Sequence, residues 1–412
     1  MNRMKMSASV MWLCMMLWAA LFGCDTGRGE EEIKVEKVYE PIKVSKTNAT
    51  KLYMHYMPWF EGKEYSGYWG SHWRMANKNP DNMDSEGKRE IAAHYYPLIG
   101  PYDSGDPDVI EYHLLLMKYA GIDGVLIDWY GSHKVLDYAA NLDNSNALIA
   151  ALDTIGLSFG IVYEEYTTEK VEARKGITAI EAAQEDLIYM EENYFSNDRY
   201  IAIADEPLVL TFGPRFFRKA DQWTEIFSVM EKKPKFLPLW NHGNLVGAAN
   251  TSGEFSWVDF NYTLSELDKF YDKTNLGITM GSIYPGFHDY YKEGGWGESY
   301  GYVRHLDGVT MRSTFDLARD SNLQFLQLIT WNDFGEGTMI EPTQEYEFLF
   351  LELVQEFSGV SYTKAELELV YTYYLKKKSH KGDPGAAIKL QEIFTFLNEL
   401  EPAKAEQLLK NL

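Results

Sequence analysis

The chain has 412 residues carrying 61 acidic against 39 basic side chains, a formal net charge of −22. That balance repels phosphate backbones and excludes nucleic acid as an expected partner. Cysteine is represented only by Cys14, inside an apolar N-terminal run, and Cys24, so no disulfide framework or thiolate metal site is expected.

Arg3 and Lys5 precede an apolar run over residues 10–23, the pattern of a secretory signal segment spanning 1–23. Leu21-Phe22-Gly23-Cys24 has the form of a bacterial lipobox, which makes Cys24 the expected site of lipidation and a membrane anchor. The run is short for a spanning helix, which needs ~20 apolar residues. The expected location is that of an exported lipoprotein at the outer membrane or cell surface, with the periplasmic face as the alternative. Residues 24–50, rich in lysine and glutamate, read as a mobile tether.

From Lys51 onward, short apolar runs alternate with amphipathic ones. Strands are predicted at 52–58, 124–129, 158–163, 208–212, 236–240, 255–260, 277–284 and 325–331. Helical patterns occupy 107–120, 145–155, 177–194, 222–231, 265–271, 309–321 and 343–357. The alternation predicts an α/β fold, a (β/α)8 TIM barrel over 51–357. An open doubly wound sheet is the alternative, but no glycine-rich phosphate loop follows the first strand. Residues 358–412 are expected to form a C-terminal helical extension interrupted at 376–385.

Barrels of this kind place chemistry at the C-terminal ends of their strands. Those ends supply His55, Tyr56 and Trp59; Asp128 and Trp129; Tyr163 and Glu164; Trp240 and Asn241; Tyr284 and His288; and Trp331 with Asn332. This gathering of aromatic rings, histidines and acids suits a cleft that stacks on and hydrogen-bonds a carbohydrate. Glu164 and Glu165 face opposite ways on a strand, so one of them is expected in solvent. Histidines 55, 72, 94, 242 and 288 lack the paired helical spacing of a zinc protease, and no Gly-x-Ser-x-Gly elbow occurs.

The eighth strand runs into Trp331-Asn332-Asp333-Phe334-Gly335-Glu336-Gly337-Thr338. Two nearby acids are the minimum equipment for glycosidic cleavage, and that chemistry calls for no metal or cofactor. One acid must be protonated and one ionised. Glu336, between two glycines and near aromatic walls, is the expected acid, and Asp333 the carboxylate.

This motif, with Ile340-Glu341-Pro342 and with His55-Tyr56-Met57-Pro58-Trp59 on the first strand, resembles the glycoside hydrolases of families 71 and 99. The resemblance implies a (β/α)8 barrel cleaving internal α-linkages of a mannan-type polysaccharide or glycan. It also implies that Asp333 assists attack by the sugar's 2-hydroxyl, while Glu336 serves as general acid/base. The aspartate is one methylene shorter than the glutamate of family 99 and matches family 71, so a direct nucleophile and an inverting reaction stay open. An α-1,3-glucanase and a non-catalytic surface glycan-binding lipoprotein are the alternatives.

Overall fold

The computed structural model describes residues 41–412. The signal segment, Cys24 and the tether as far as residue 40 lie outside the described residues. Eight parallel strands form the centre: β1 (Lys51–Tyr56), β2 (Gly124–Trp129), β3 (Ser158–Tyr163), β4 (Glu206–Thr211), β5 (Lys235–Pro238), β6 (Gly253–Phe255), β7 (Ile278–Ile283) and β8 (Phe325–Leu328). Hydrogen bonding runs in the order β5-β4-β3-β2-β1-β8-β7-β6. The parallel bridge Leu239↔Phe255, with Trp240 N donating to Phe255 O at 2.8 Å, brings β5 beside β6 and closes the ring. The sixth strand is shorter than predicted. Beyond it, the Asp259 carboxylate accepts from the backbone N–H of Asn261 (2.8 Å) and Glu266 (3.0 Å), so the chain turns there into the helix Ser265–Tyr271.

Alternation along each strand separates two cores. Tyr53, Leu126, Val162, Leu210, Leu237, Phe255 and Met280 fill the barrel interior. Leu52, Met54, Val125, Ile127, Ile161 and Leu328 face outward against the helices. The outer layer includes α1 (Pro107–Tyr119), α2 (Tyr138–Ile155), α3 (Ala179–Asn193) and, after β8, α4 (Leu349–Ser358). Local chemistry sets several boundaries. Asp106 caps α1 ahead of Pro107, Thr178 and Glu181 form a capping box on α3, and Gly156 at φ +86° ends α2. Between β5 and β6 the outer element is a single turn, Gly243–Val246.

The end of the expected tether is docked. Thr47 N and Asn48 N donate to the carbonyls of Gly359 and Ser358, and Lys46 pairs with Asp123. The C-terminal helices α5 (Lys364–Ser379), α6 (Pro384–Asn398) and α7 (Pro402–Leu409) follow α4. The lysine run expected to interrupt them instead completes α5. Lys377 pairs with Glu111 (2.8 Å) and Lys378 with Asp106 (2.6 Å) on the first helix, and cations in a last turn also suit the helix dipole. The chain breaks only after Ser379.

Lys118, 1% exposed, anchors this extension: its ammonium donates to Ile155 O (2.9 Å), Asn398 O (2.7 Å) and Asn398 Oδ1 (2.7 Å). All three donors are filled, so deleting them strands buried carbonyls. Lys118→Met should lower the unfolding free energy by about 3 kcal/mol in urea titrations and speed proteolysis within 358–412. An unchanged midpoint and digestion rate would contradict this anchoring role.

Candidate active site

The C-terminal strand ends surround a cavity of about 470 Å³ lined by Asp128, Glu164, Asp333 and Glu336, with Trp59, Tyr130, Tyr166, Phe212, Trp257, Tyr291, Trp296 and Tyr300 among its walls. The turn carrying the last two acids is tied at its base. Thr330 N donates to Thr338 O (2.9 Å), and Thr330 Oγ1 accepts from Asp333 N (2.8 Å). Asp333 Oδ1 then accepts from Glu336 N (2.9 Å), so one carboxylate orients the residue that bears the other. A neighbouring loop clamps the same turn, His288 N donating to Glu336 O and Tyr290 N to Gly335 O, both at 2.8 Å. Gly337 is required at this crossing: it sits at φ +66°, and a Cβ there would lie 2.6 Å from His288 O.

Asn332 works one layer behind. Its side chain accepts from Met57 N (2.8 Å) and donates to Met57 O (2.9 Å) and Tyr102 Oη (3.0 Å), fastening the end of β1 to the end of β8. Tyr102 in turn donates to Glu341 (2.7 Å), whose other oxygen meets His113 Nε2 (3.2 Å), and His113 Nδ1 meets Tyr56 Oη (3.1 Å). Beneath the acids lies His55, wholly buried, its Nδ1 3.1 Å from Gln327 Oε1. Gln327 donates through Nε2 to Ser256 O (2.5 Å), so its Oε1 is an acceptor and His55 Nδ1 carries the proton. His55 Nε2 is left as an acceptor 3.6 Å from Asp128 Oδ2, and burial holds the ring down to about 4, hence neutral.

The four acids differ in protonation. Burial raises Asp333 to about 6, opposed by the Glu336 and Gly335 N–H groups and by His55. Glu336 stands well above the ordinary carboxyl range, first through burial and then through the charge on Asp333. Its Oε1 accepts from Tyr291 Oη (3.2 Å), while Oε2 has no hydrogen-bond partner among the described residues. Asp128 is pushed up to about 8 by burial and by Asp333; Glu164 rises through burial and Asp128.

Residues 48–352 match the sequence model of glycosyl hydrolase family 99. The chain belongs to that family. Over 106 residues it is 31% identical to glycoprotein endo-alpha-1,2-mannosidase of Mus musculus, a match covering 22% of this chain and 23% of that protein. It is 38% identical over 61 residues to a glycoprotein endo-alpha-1,2-mannosidase-like protein of Danio rerio, covering 14% of each. The matched stretches thus span under a quarter of these curated relatives. In fold, the chain is similar to the GH99 endo-alpha-mannosidase from Bacteroides thetaiotaomicron solved with bis-tris-propane, at TM-score 0.58 and 17% identity over 79% of this chain and 99% of that one.

Against this family 99 barrel, several strand-end expectations need correction. Tyr56, Trp129, Tyr163 and Trp331 do not line the cavity. The first three lie one residue out of phase with the inward positions of their strands, and Trp331, beyond the end of β8, packs with them among the outward core. Tyr163 donates to Asp186 (2.7 Å) there, and Trp331 packs on His113. Tyr284 turns its hydroxyl to Asp259 O (3.0 Å). Trp240 packs edge-on against Phe270, and Asn241, at φ +65°, accepts from Lys273 (2.9 Å), so neither reaches the cavity. The His288 ring stacks on His94 at 3.6 Å, and only its backbone serves the site. Glu165 is not in solvent. The chain turns into a 3-10 helix at Glu165–Thr167, and the carboxylate accepts from the N–H groups of Arg215, Phe216 and Phe217.

Sequence reading missed Tyr130, Tyr166, Phe212, Arg215 and the loop aromatics Tyr291, Trp296 and Tyr300. Strand alternation would have found Tyr130 and Phe212, since each continues the inward phase of its strand.

The raised acids make stability depend on pH. Asp128 keeps its proton in the folded state above its ordinary value of 3.8, so its stabilisation is complete below that value and is lost as pH rises through about 8. Asp128→Asn fixes the neutral form. Its gain in melting temperature should be near zero at pH 4 and grow steadily toward pH 8; an equal shift at every pH would contradict the assignment.

Proposed function

We propose that this chain is an endo-acting α-glycosidase that hydrolyses internal α-linkages of a mannan-type polysaccharide or glycan. One observation carries the reading. A single turn presents two carboxyls to one aromatic-walled cavity; burial and the charge on Asp333 hold Glu336 well above the ordinary carboxyl range, while Asp333 lies at about 6. At neutral pH the pair holds one proton on Glu336 and one charge on Asp333, the division that glycosidic cleavage needs.

Glu336 Oε2 carries the proton toward the glycosidic oxygen, and the leaving sugar departs with that proton as the C1–O bond breaks. Asp333 takes the proton of the substrate's 2-hydroxyl while that oxygen closes on C1. Water then opens the anhydro ring, giving a proton to the Glu336 carboxylate as the sugar oxygen recovers its own from Asp333. Direct attack by Asp333 on C1 is the competing route. The family membership and the relatives named as mannosidases favour an α-mannan over an α-1,3-glucan.

The lipobox supports export and attachment to a membrane through lipid on Cys24, with the barrel acting at the cell surface. Among the described residues no helix is long and apolar enough to cross a membrane.

Purified residues 25–412 incubated with α-mannan should release new oligosaccharides with reducing ends. Glu336→Gln should reduce that release by about a thousandfold or more while still binding the polymer. Release by the variant at the wild-type rate would overturn the assignment of the acid, and release from α-1,3-glucan alone would change the substrate.

A further inference from the structure

The cavity wall includes a guanidinium. Arg215 follows β4 in the stretch Phe212-Gly213-Pro214-Arg215 and lines the same cavity as Asp333 and Glu336. Its loop is held from below by Glu165, 0% exposed, whose carboxylate accepts from three successive backbone N–H groups, those of Arg215, Phe216 (3.0 Å) and Phe217 (3.2 Å). The guanidinium rests 4.7 Å from the Phe212 ring centre and 5.4 Å from that of Tyr166. Among the described residues it donates no hydrogen bond and has no carboxylate within 4.0 Å. The fold therefore holds a planar fork of donors against two rings at the wall of the cavity, on a side chain that is exposed.

We propose that Arg215 selects a glycan carrying an anionic substituent (a carboxylate, sulfate or phosphate ester) on a sugar at the cleaved linkage. This inference rests on reading the cavity as a glycosidase site. A guanidinium matches the paired oxygens of such groups in two parallel hydrogen bonds, a geometry a hydroxyl cannot return. The nearby acids do not forbid an anion: burial drives Asp128, Glu164 and Glu336 toward their neutral forms. His72, the other basic group on the cavity wall, is held down to about 3 by burial and is uncharged, so Arg215 supplies the positive charge.

The competing role is to tune the acids through space. It depends on charge alone and would survive in Arg215→Lys. The test is calorimetric binding to Glu336→Gln protein, which does not turn substrate over. The probes are size-matched α-manno-oligosaccharides that are neutral, oxidised at C6 to the uronate, 6-sulfated or 6-phosphorylated. At least one anionic form should bind about tenfold or more tighter than the neutral one. That preference should weaken with salt, vanish in Arg215→Met and fall sharply in Arg215→Lys. The form preferred identifies the group. Equal or tighter binding of the neutral sugar, or a preference that persists without Arg215, overturns the inference. Cleavage of neutral mannan with no anionic preference would sink this proposal and leave the glycosidase standing. Anionic preference with no cleavage of any polymer would do the reverse.

Discussion

Taking four carboxyls out of water at one barrel mouth is the constraint on which the rest of the site depends. Each charge removed from solvent costs several kcal/mol unless it is neutralised or given strong donors. Asp333 receives donors from the N–H groups of Glu336 and Gly335, whereas Glu336 receives one tyrosine hydroxyl and has an oxygen without a partner among the described residues. The two acids therefore separate in proton affinity although they sit three residues apart. Asp128, raised by burial and the charge on Asp333, and Glu164, raised by burial and Asp128, stand beside them as largely neutral groups suited to binding sugar hydroxyls.

Holding that arrangement falls to residues that never touch the cavity. Asn332 ties β8 to the backbone of β1, and the chain of hydrogen bonds through Tyr102, Glu341, His113 and Tyr56 extends the tie to α1. On the other side, buried His305 reaches Gly337 O (2.9 Å), with Tyr95 at its second nitrogen (3.1 Å). Such support matters because a misplacement of ~1 Å can cost ~100-fold in rate. The shorter Asp333 arm makes backbone placement of the turn the variable that decides its reach.

The order of strands and helices was readable in the sequence because apolar runs bounded by polar turns are a local property; seven strands formed where the pattern placed them, and the sixth formed at Gly253–Phe255, overlapping its expected span only at Phe255. The identity of the cavity walls was only half legible. His55, Asp128 and Glu164 share the inward phase of their strands, while Tyr56, Trp129 and Tyr163, one residue away, carry equally suggestive chemistry but face the helices. Composition cannot separate the two sets; the period of two can. Arg215 was not legible at all. Nothing local marks it, and its placement depends on Glu165, fifty residues earlier and brought near by the pairing of β3 with β4. The loop aromatics Tyr291, Trp296 and Tyr300 depend likewise on a loop whose path is fixed by the turn at Glu336.

The central claim is that backbone N–H donors keep Asp333 ionised while burial keeps Glu336 protonated in the same cavity at neutral pH. The dependence of kcat/KM on pH, measured on an α-mannan between pH 4 and 9, tests it most directly. The account predicts a rate that falls on acidification with a midpoint near 6, as Asp333 takes up its proton, and that holds through neutrality because Glu336 keeps its own. A rate that climbs unchecked toward pH 4, or that is already lost by pH 6 on the alkaline side, would contradict it.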